Sequence, residues 1–173
     1  MLRETVKKQI SEIIKNDGFE GDFAIQLAYS GGLDSSCLLH VLSDLKEWFN
    51  FRLFVTYVNY NTSSYSLKVL KELDKISSDV IVSTLDVQIE PFENFESKAR
   101  DVRYSFFEKI SKKHDINYTV TAHHYEDQVE TLVMKFIDGS DVIGMQGIRK
   151  IAGTLFRPML EIRKRDIIEY AKK

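Results

Sequence analysis

Ala28-Tyr29-Ser30-Gly31-Gly32-Leu33-Asp34-Ser35-Ser36 is the stretch on which the arrangement of this 173-residue chain turns. Phe23 to Leu27 before it is apolar and predicts a strand, and Cys37 to Leu42 after it continues as a helix. A loop of small residues therefore joins a strand to a helix N-terminus. Unpaired backbone N–H groups and the positive end of the helix dipole attract an anion there. Gly31 and Gly32 have no Cβ, so the backbone can come close to a ligand, and Ser30, Ser35 and Ser36 add hydroxyl donors. The loop suits phosphate. Asp34 is the odd residue in it, because a carboxylate repels phosphate unless Mg²⁺ lies between them.

Outward from this loop the chain alternates strand and helix. Strands are predicted at 22–29, 51–58, 79–85, 117–122 and 154–157. Helices are predicted at 2–15, 34–47, 65–77, 95–113, 125–137 and from 163 onward. In the fourth helix Ala99, Val102, Phe106, Phe107 and Ile110 are inward. In the fifth the expected buried side is Val129, Leu132, Val133 and Phe136. The order predicts an α/β fold: a doubly wound, mostly parallel five-stranded sheet with helices on both faces. Residues 1–20 read as an N-terminal helix packed on a domain at 21–173. In such sheets ligands bind outside the carboxyl ends of the strands, at the point where the strand order reverses.

Composition narrows the class. The chain is 43% hydrophobic and 29% charged, with a net charge of −2. No apolar run approaches the roughly 20 residues that span a bilayer, so no membrane partner is expected. The charged N-terminus, unlike a signal peptide, and the single cysteine make a cytoplasmic location the expectation. One cysteine, Cys37, excludes a disulfide framework and paired-cysteine metal sites, and it reads as a buried small side chain. Residues 145–173 hold eight Lys or Arg against three Asp or Glu, an asymmetry that suits a nucleic-acid-facing end.

Two further clusters lie past strand ends. In Thr121-Ala122-His123-His124-Tyr125-Glu126-Asp127-Gln128-Val129-Glu130-Thr131, Asp127 and Glu130 share a helix face, and His124 precedes Asp127 by three. Two carboxylates there suit a cationic amine or a shared metal, while the spacing matches no strong zinc motif. In Glu96 to Tyr104, Arg100 and Arg103 are also three apart and suit a bidentate phosphate clamp.

The S-G-G-x-D-S loop after a strand resembles the PP-loop of ATP pyrophosphatases, which cleave ATP between the α- and β-phosphates. The whole set resembles the tRNA(Ile)-lysidine synthetase family. It comprises the PP-loop, Glu96–Tyr104, Thr121–Thr131, Asp141–Ile148, and Arg157-Pro158-Met159-Leu160 with a basic helix. The resemblance implies a Rossmann-like PP-loop fold of the adenine nucleotide α-hydrolase type, with ATP and Mg²⁺ as cofactors. It implies tRNA(Ile) with a CAU anticodon and free L-lysine as substrates. The wobble cytidine C2 oxygen attacks the α-phosphate, pyrophosphate leaves, and the lysine ε-amine then displaces AMP at C2.

In that scheme the loop from Ser30 through Gly31, Gly32, Leu33, Ser35 and Ser36 holds pyrophosphate, and Asp34 binds Mg²⁺. Arg103 with Arg100 holds the adenylated base. Asp127 and Glu130 bind the lysine amine or Mg²⁺. His124 or a carboxylate is the general base, and the backbone at Tyr57 and Val58 reads the adenine edge. Tyr60 stands where the family usually has His, and Asp138-Gly139 where it has Arg-Gly. Family members continue into further tRNA-recognition domains, so the chain reads as a minimal form or as part of a longer protein. Monomer and homodimer both remain open. The competing readings are a tRNA thiolase, an amide synthetase, and an ATP-binding domain without catalysis.

Overall fold

The computed structural model describes residues 1–19, 22–61, 65–76, 80–88, 95–139 and 146–173. Most of the Asp141–Ile148 block, part of the Asn61–Ser64 loop and the segment around Pro91 lie outside the described residues. The elements are α1 Leu2–Asp17, β1 Phe23–Tyr29, α2 Leu33–Phe49, β2 Phe51–Asn59, α3 Tyr65–Leu73 and β3 Ile81–Asp86. They continue with α4 Phe95–His114, β4 Tyr118–Val120, α5 Tyr125–Ile137, β5 Ile151–Ala152, β6 Leu155–Phe156 and α6 Lys164–Ala171.

The sheet order is β3-β2-β1-β4-β6-β5. All pairings are parallel except β5 with β6. The expected fold class holds, with six strands in place of five. The extra strand arises because Gly153, at φ 59°, turns the chain back so that Ile151 pairs Phe156 and Ala152 pairs Leu155. Each strand of this hairpin has two residues, too few to show a period of two in the sequence.

Alternation along the strands assigns the two faces. Phe23, Ile25, Leu27 and Tyr29 of β1 and Phe51, Leu53, Val55 and Tyr57 of β2 bury one face. They pack with Leu2, Val6 and Ile10 of α1, Leu38, Val41 and Leu45 of α2, Val69 of α3 and Ile167 of α6. Ala24 and Phe54 face the other way, against Ile110 of α4. β2 is almost wholly buried for this reason, as a strand covered on both sides must be. Each fully buried Leu, Ile or Val stabilises the fold by about 1.5–3 kcal/mol. Gln26, buried in β1, donates from Nε2 to the Phe107 carbonyl at 3.3 Å, tying α4 to the sheet through a polar contact.

Two helices depart from expectation. In α3 the spacing of Leu67, Leu70, Leu73 and Ile76 predicts an inward side, whereas Ser66, Val69 and Leu73 are buried and Leu67 is exposed. The larger departure is α5, which buries no residue: Val129 and Val133 are exposed, Phe136 is 73% exposed and Ile137 74%. Its apolar stripe has the period of a core helix, but periodicity states what a helix could bury, not whether a surface lies opposite.

β1 pairs with β2 on one side and with β4 on the other, and the chain runs β1, β2, β3 outward before returning to β4. The reversal therefore lies between β1 and β4, and a crevice opens beyond their carboxyl ends. The Ser30 loop and the Thr121–His124 segment are the two walls of that crevice.

Candidate active site

Gly31 carries the turn out of β1 at φ 81°, and Gly32, extended at φ −74° and ψ 168°, is the N-cap of α2. The loop is laced by hydroxyls. Ser30 Oγ and Ser35 Oγ are 3.0 Å apart. Ser35 Oγ also accepts from the Ser30 N–H at 3.3 Å and donates to the Gly32 carbonyl at 3.0 Å. Ser36 Oγ donates to the same carbonyl at 3.0 Å and lies 2.9 Å from the Tyr29 hydroxyl. Ser36 thus braces the turn, while Ser30 and Ser35 face the crevice.

A cavity of about 510 Å³ occupies the crevice. Of the residues singled out from the sequence, Ser30, Asp34, Ser35, Tyr57, Val58, Arg100, Arg103 and Asp127 line it. These come from the loop after β1 and from α2, β2, α4 and α5. Gly31, Gly32, Leu33, Ser36, His124 and Glu130 do not line it. Leu33 is 43% exposed, and Glu130 sits on the exposed turn of α5, so Asp127 alone of that carboxylate pair faces the cavity.

His124 is buried as the N-cap of α5, and its N–H donates to Asp127 Oδ2 at 2.8 Å. Its Nδ1 lies 3.1 Å from Glu126 Oε2 and its Nε2 3.8 Å from Asp34 Oδ2. It is His123 that faces the cavity, with Nδ1 2.7 Å from Thr121 Oγ1. In an extended segment Thr121 and His123 share a side and His124 takes the opposite one, a reading the His-His pair alone does not resolve.

Tyr104 is also in the lining, and the Arg100 guanidinium lies 4.9 Å from its ring centroid. It is four residues after Arg100 on the same face of α4, so helical spacing could have found it. Tyr60 lines the cavity too, its hydroxyl donating to the Ala99 carbonyl at 2.8 Å. Lys164 gave no local signal. Its Nζ donates to both oxygens of Asp34, at 2.5 and 2.7 Å, from 130 positions away.

Charge is divided across the cavity. Arg100 and Arg103 form no ion pair among the described residues, and the carboxylates Asp34 and Asp127 line the same cavity. Burial lowers the His123 pKa below its ordinary value. Asp127 opposes that shift, while Arg157, Arg100 and His124 add to it. His123 is therefore a neutral imidazole at pH 7. A depressed basic group gives its full stability above its unfolded value, near 6.5, and loses it as pH falls toward the folded value. The melting temperature should accordingly drop between pH 7.5 and 5.5, and the drop should be smaller in His123→Asn. Superimposable pH profiles for the two proteins would remove His123 from that account.

Among the described residues no cluster of three or more His, Cys, Asp or Glu could hold a metal, and no helix is long and apolar enough to cross a membrane. The donors do fit Mg²⁺ in its usual nucleotide-site form, with one or two carboxylates completed by phosphate oxygens and water. Asp34 offers a carboxylate that is 26% exposed, beside two serine hydroxyls at the loop.

The tRNA(Ile)-lysidine synthase of Clostridium acetobutylicum is 34% identical over 172 residues, covering 94% of this chain and 37% of that protein. The bifunctional protein TilS/HprT of Listeria innocua is 36% identical over 182 residues, covering 98% of this chain and 28% of that one. The chain thus spans well under half the length of these curated relatives. In three dimensions it is similar to the U34-tRNA thiolase NcsA from Methanococcus maripaludis, with a TM-score of 0.72. That match has 15% identity and covers 99% of this chain and 62% of that one, a likeness of fold. A sequence model of the PP-loop domain matches residues 2–173, which include the serine- and glycine-lined turn at Ser30–Ser36: the chain belongs to the PP-loop family of ATP-binding domains.

Proposed function

We propose that this chain is the catalytic PP-loop domain of a tRNA(Ile)-lysidine synthase, joining free L-lysine to C2 of the wobble cytidine of CAU-anticodon tRNA(Ile) at the expense of ATP. One observation carries the reading. A single cavity joins the phosphate loop at Ser30 and Ser35, the cationic pair Arg100 and Arg103, and the carboxylate Asp127. Cleavage at the α-phosphate needs the first two. Use of an amine as second nucleophile needs the third.

The loop N–H groups with Ser30 and Ser35 hold the pyrophosphate half of ATP, and the backbone at Tyr57 and Val58 meets the adenine. Asp34 would hold Mg²⁺ beside the loop, and the bound cation would supply screening of phosphate charge and stabilisation of the leaving pyrophosphate. Arg100 and Arg103 grip the α-phosphate, where charge develops as the cytidine oxygen attacks. Asp127 holds the lysine ε-ammonium near C2. The neutral imidazole of His123 is the acceptor for the proton that the amine sheds before it attacks. His124 orients Asp127 and Glu126 from the helix cap.

The test is incubation with ATP, Mg²⁺, labelled L-lysine and CAU-anticodon tRNA(Ile). AMP, pyrophosphate and labelled tRNA are expected; ADP with inorganic phosphate as products would overturn the proposal. Asp127→Asn separates binding from folding, because asparagine still accepts from the His124 N–H. The lysine KM should rise by about 10- to 100-fold, the worth of one charge-assisted contact, with ATP affinity nearly unchanged. The reverse pattern would move Asp127 to the nucleotide.

A further inference from the structure

Lys164 Nζ meets both carboxylate oxygens of Asp34, at 2.5 and 2.7 Å. The lysine opens α6, and its own N–H donates to Glu126 Oε2 at 2.9 Å, so the start of α6 is fastened to the start of α5 beside the loop. The loop is closed on itself in the same manner. The Gly32 N–H donates to Ser30 Oγ at 3.4 Å, and the Ser30 and Ser35 hydroxyls pair with each other. Groups suited to phosphate satisfy one another, and an ammonium faces the carboxylate suited to a cation.

We infer that Lys164 is the resident counter-ion of Asp34. It holds the carboxylate face that a divalent cation requires, and it turns to the phosphate oxygens when metal and pyrophosphate enter together. The inference rests on Asp34 being the cation's ligand, as proposed above. An ammonium is a compact charge on a four-carbon stem, so Nζ can move several ångströms while α6 stays in place. A carboxylate whose two oxygens both face an ammonium must give up that partner before a hard cation that demands near-ideal geometry can take its place. Pyrophosphate changes the balance, because it offers the ammonium more negative charge than Asp34 does and leaves the carboxylate to the metal. Metal and pyrophosphate should therefore bind cooperatively, with Lys164 as the coupling group.

The experiment titrates Mn²⁺, its free concentration read by electron paramagnetic resonance, with and without inorganic pyrophosphate. The proteins are the unsubstituted chain, Lys164→Met, Lys164→Arg and Asp34→Asn. Lys164→Met should bind Mn²⁺ alone about tenfold or more tighter, and pyrophosphate alone about tenfold weaker, as expected for one charge-assisted pair. Lys164→Arg keeps the carboxylate paired and should bind Mn²⁺ no tighter than the unsubstituted chain. Unchanged or weaker Mn²⁺ binding by Lys164→Met overturns the inference, as does tighter binding by Lys164→Arg. Full Mn²⁺ binding by Asp34→Asn would instead remove Asp34 as the ligand. Loss in Asp34→Asn with no change in Lys164→Met would sink the counter-ion role alone. A second readout needs no variant. The ¹⁵N ammonium resonance of Lys164 should shift when Mg²⁺ and pyrophosphate are added together, and an unmoved signal counts against the inference.

Discussion

Asp34→Asn should lower pyrophosphate release from ATP by about 10³-fold or more, the scale on which removal of a key electrostatic group slows an enzyme. The chain should stay folded. Asparagine has nearly the same shape as aspartate, and its amide oxygen can still accept a hydrogen bond from Lys164 Nζ. The pair it weakens is partly solvated, with the two side chains 37% and 26% exposed, so the stability cost should be about 1 kcal/mol or less. What asparagine removes is the negative charge. Without it no carboxylate at the loop draws a cation toward the phosphates, and Lys164 loses the partner that keeps it over the loop. Labelled pyrophosphate release measures the first effect and circular dichroism the second. Turnover within tenfold of the unsubstituted chain would take Asp34 out of the chemistry.

Gly31→Ala should be the most damaging small substitution in the loop. Gly31 sits at φ 81°, where an L side chain is strained, and an added Cβ would lie 2.6 Å from Val69 Cγ2 and 3.2 Å from Val69 Cγ1. Val69 is fully buried in α3 and branched at Cβ, so it has no alternative rotamer into which to retreat. Backbone strain and overpacking together should cost about 2–4 kcal/mol. For a chain of this size that is a fall in melting temperature of roughly 5–15 °C. Gly153→Ala is the control: φ is 59°, but nothing lies within 4 Å of the added carbon, so only the backbone cost of about 1 kcal/mol remains. The loop N–H groups must shift to relieve the clash, so ATP affinity should fall with stability in Gly31→Ala and not in Gly153→Ala. Equal melting temperatures for the two variants would mean that α3 does not press on the loop.

The success and failure of sequence reading here follow the range of the interactions involved. The Ser30–Ser36 turn was legible because a strand, two glycines and a helix start are a local matter. Arg100 and Arg103 share a helix face by spacing alone, and so does the missed Tyr104. Helical spacing to Asp127 points to His124, whereas the cap geometry buries His124 and leaves His123 on the cavity. The α5 stripe misleads in the opposite sense: Val129, Val133 and Phe136 repeat as core residues do, yet they are exposed among the described residues.

By itself the sequence determined the alternation of strand and helix, the anion-binding turn and its acidic residue, and the cationic pair on α4. All of these arise within one or two helical turns, where covalent spacing dictates who can meet. The tertiary structure decided which strand lies beside β1, and hence that the β1 and β4 loops share one crevice. It also brought Lys164 onto Asp34 across 130 positions, faced Asp127 but not Glu130 into the cavity, and left α5 uncovered. Those outcomes depend on how whole elements pack, and packing is set by the sum of many weak apolar contacts rather than by any residue's neighbours in the chain.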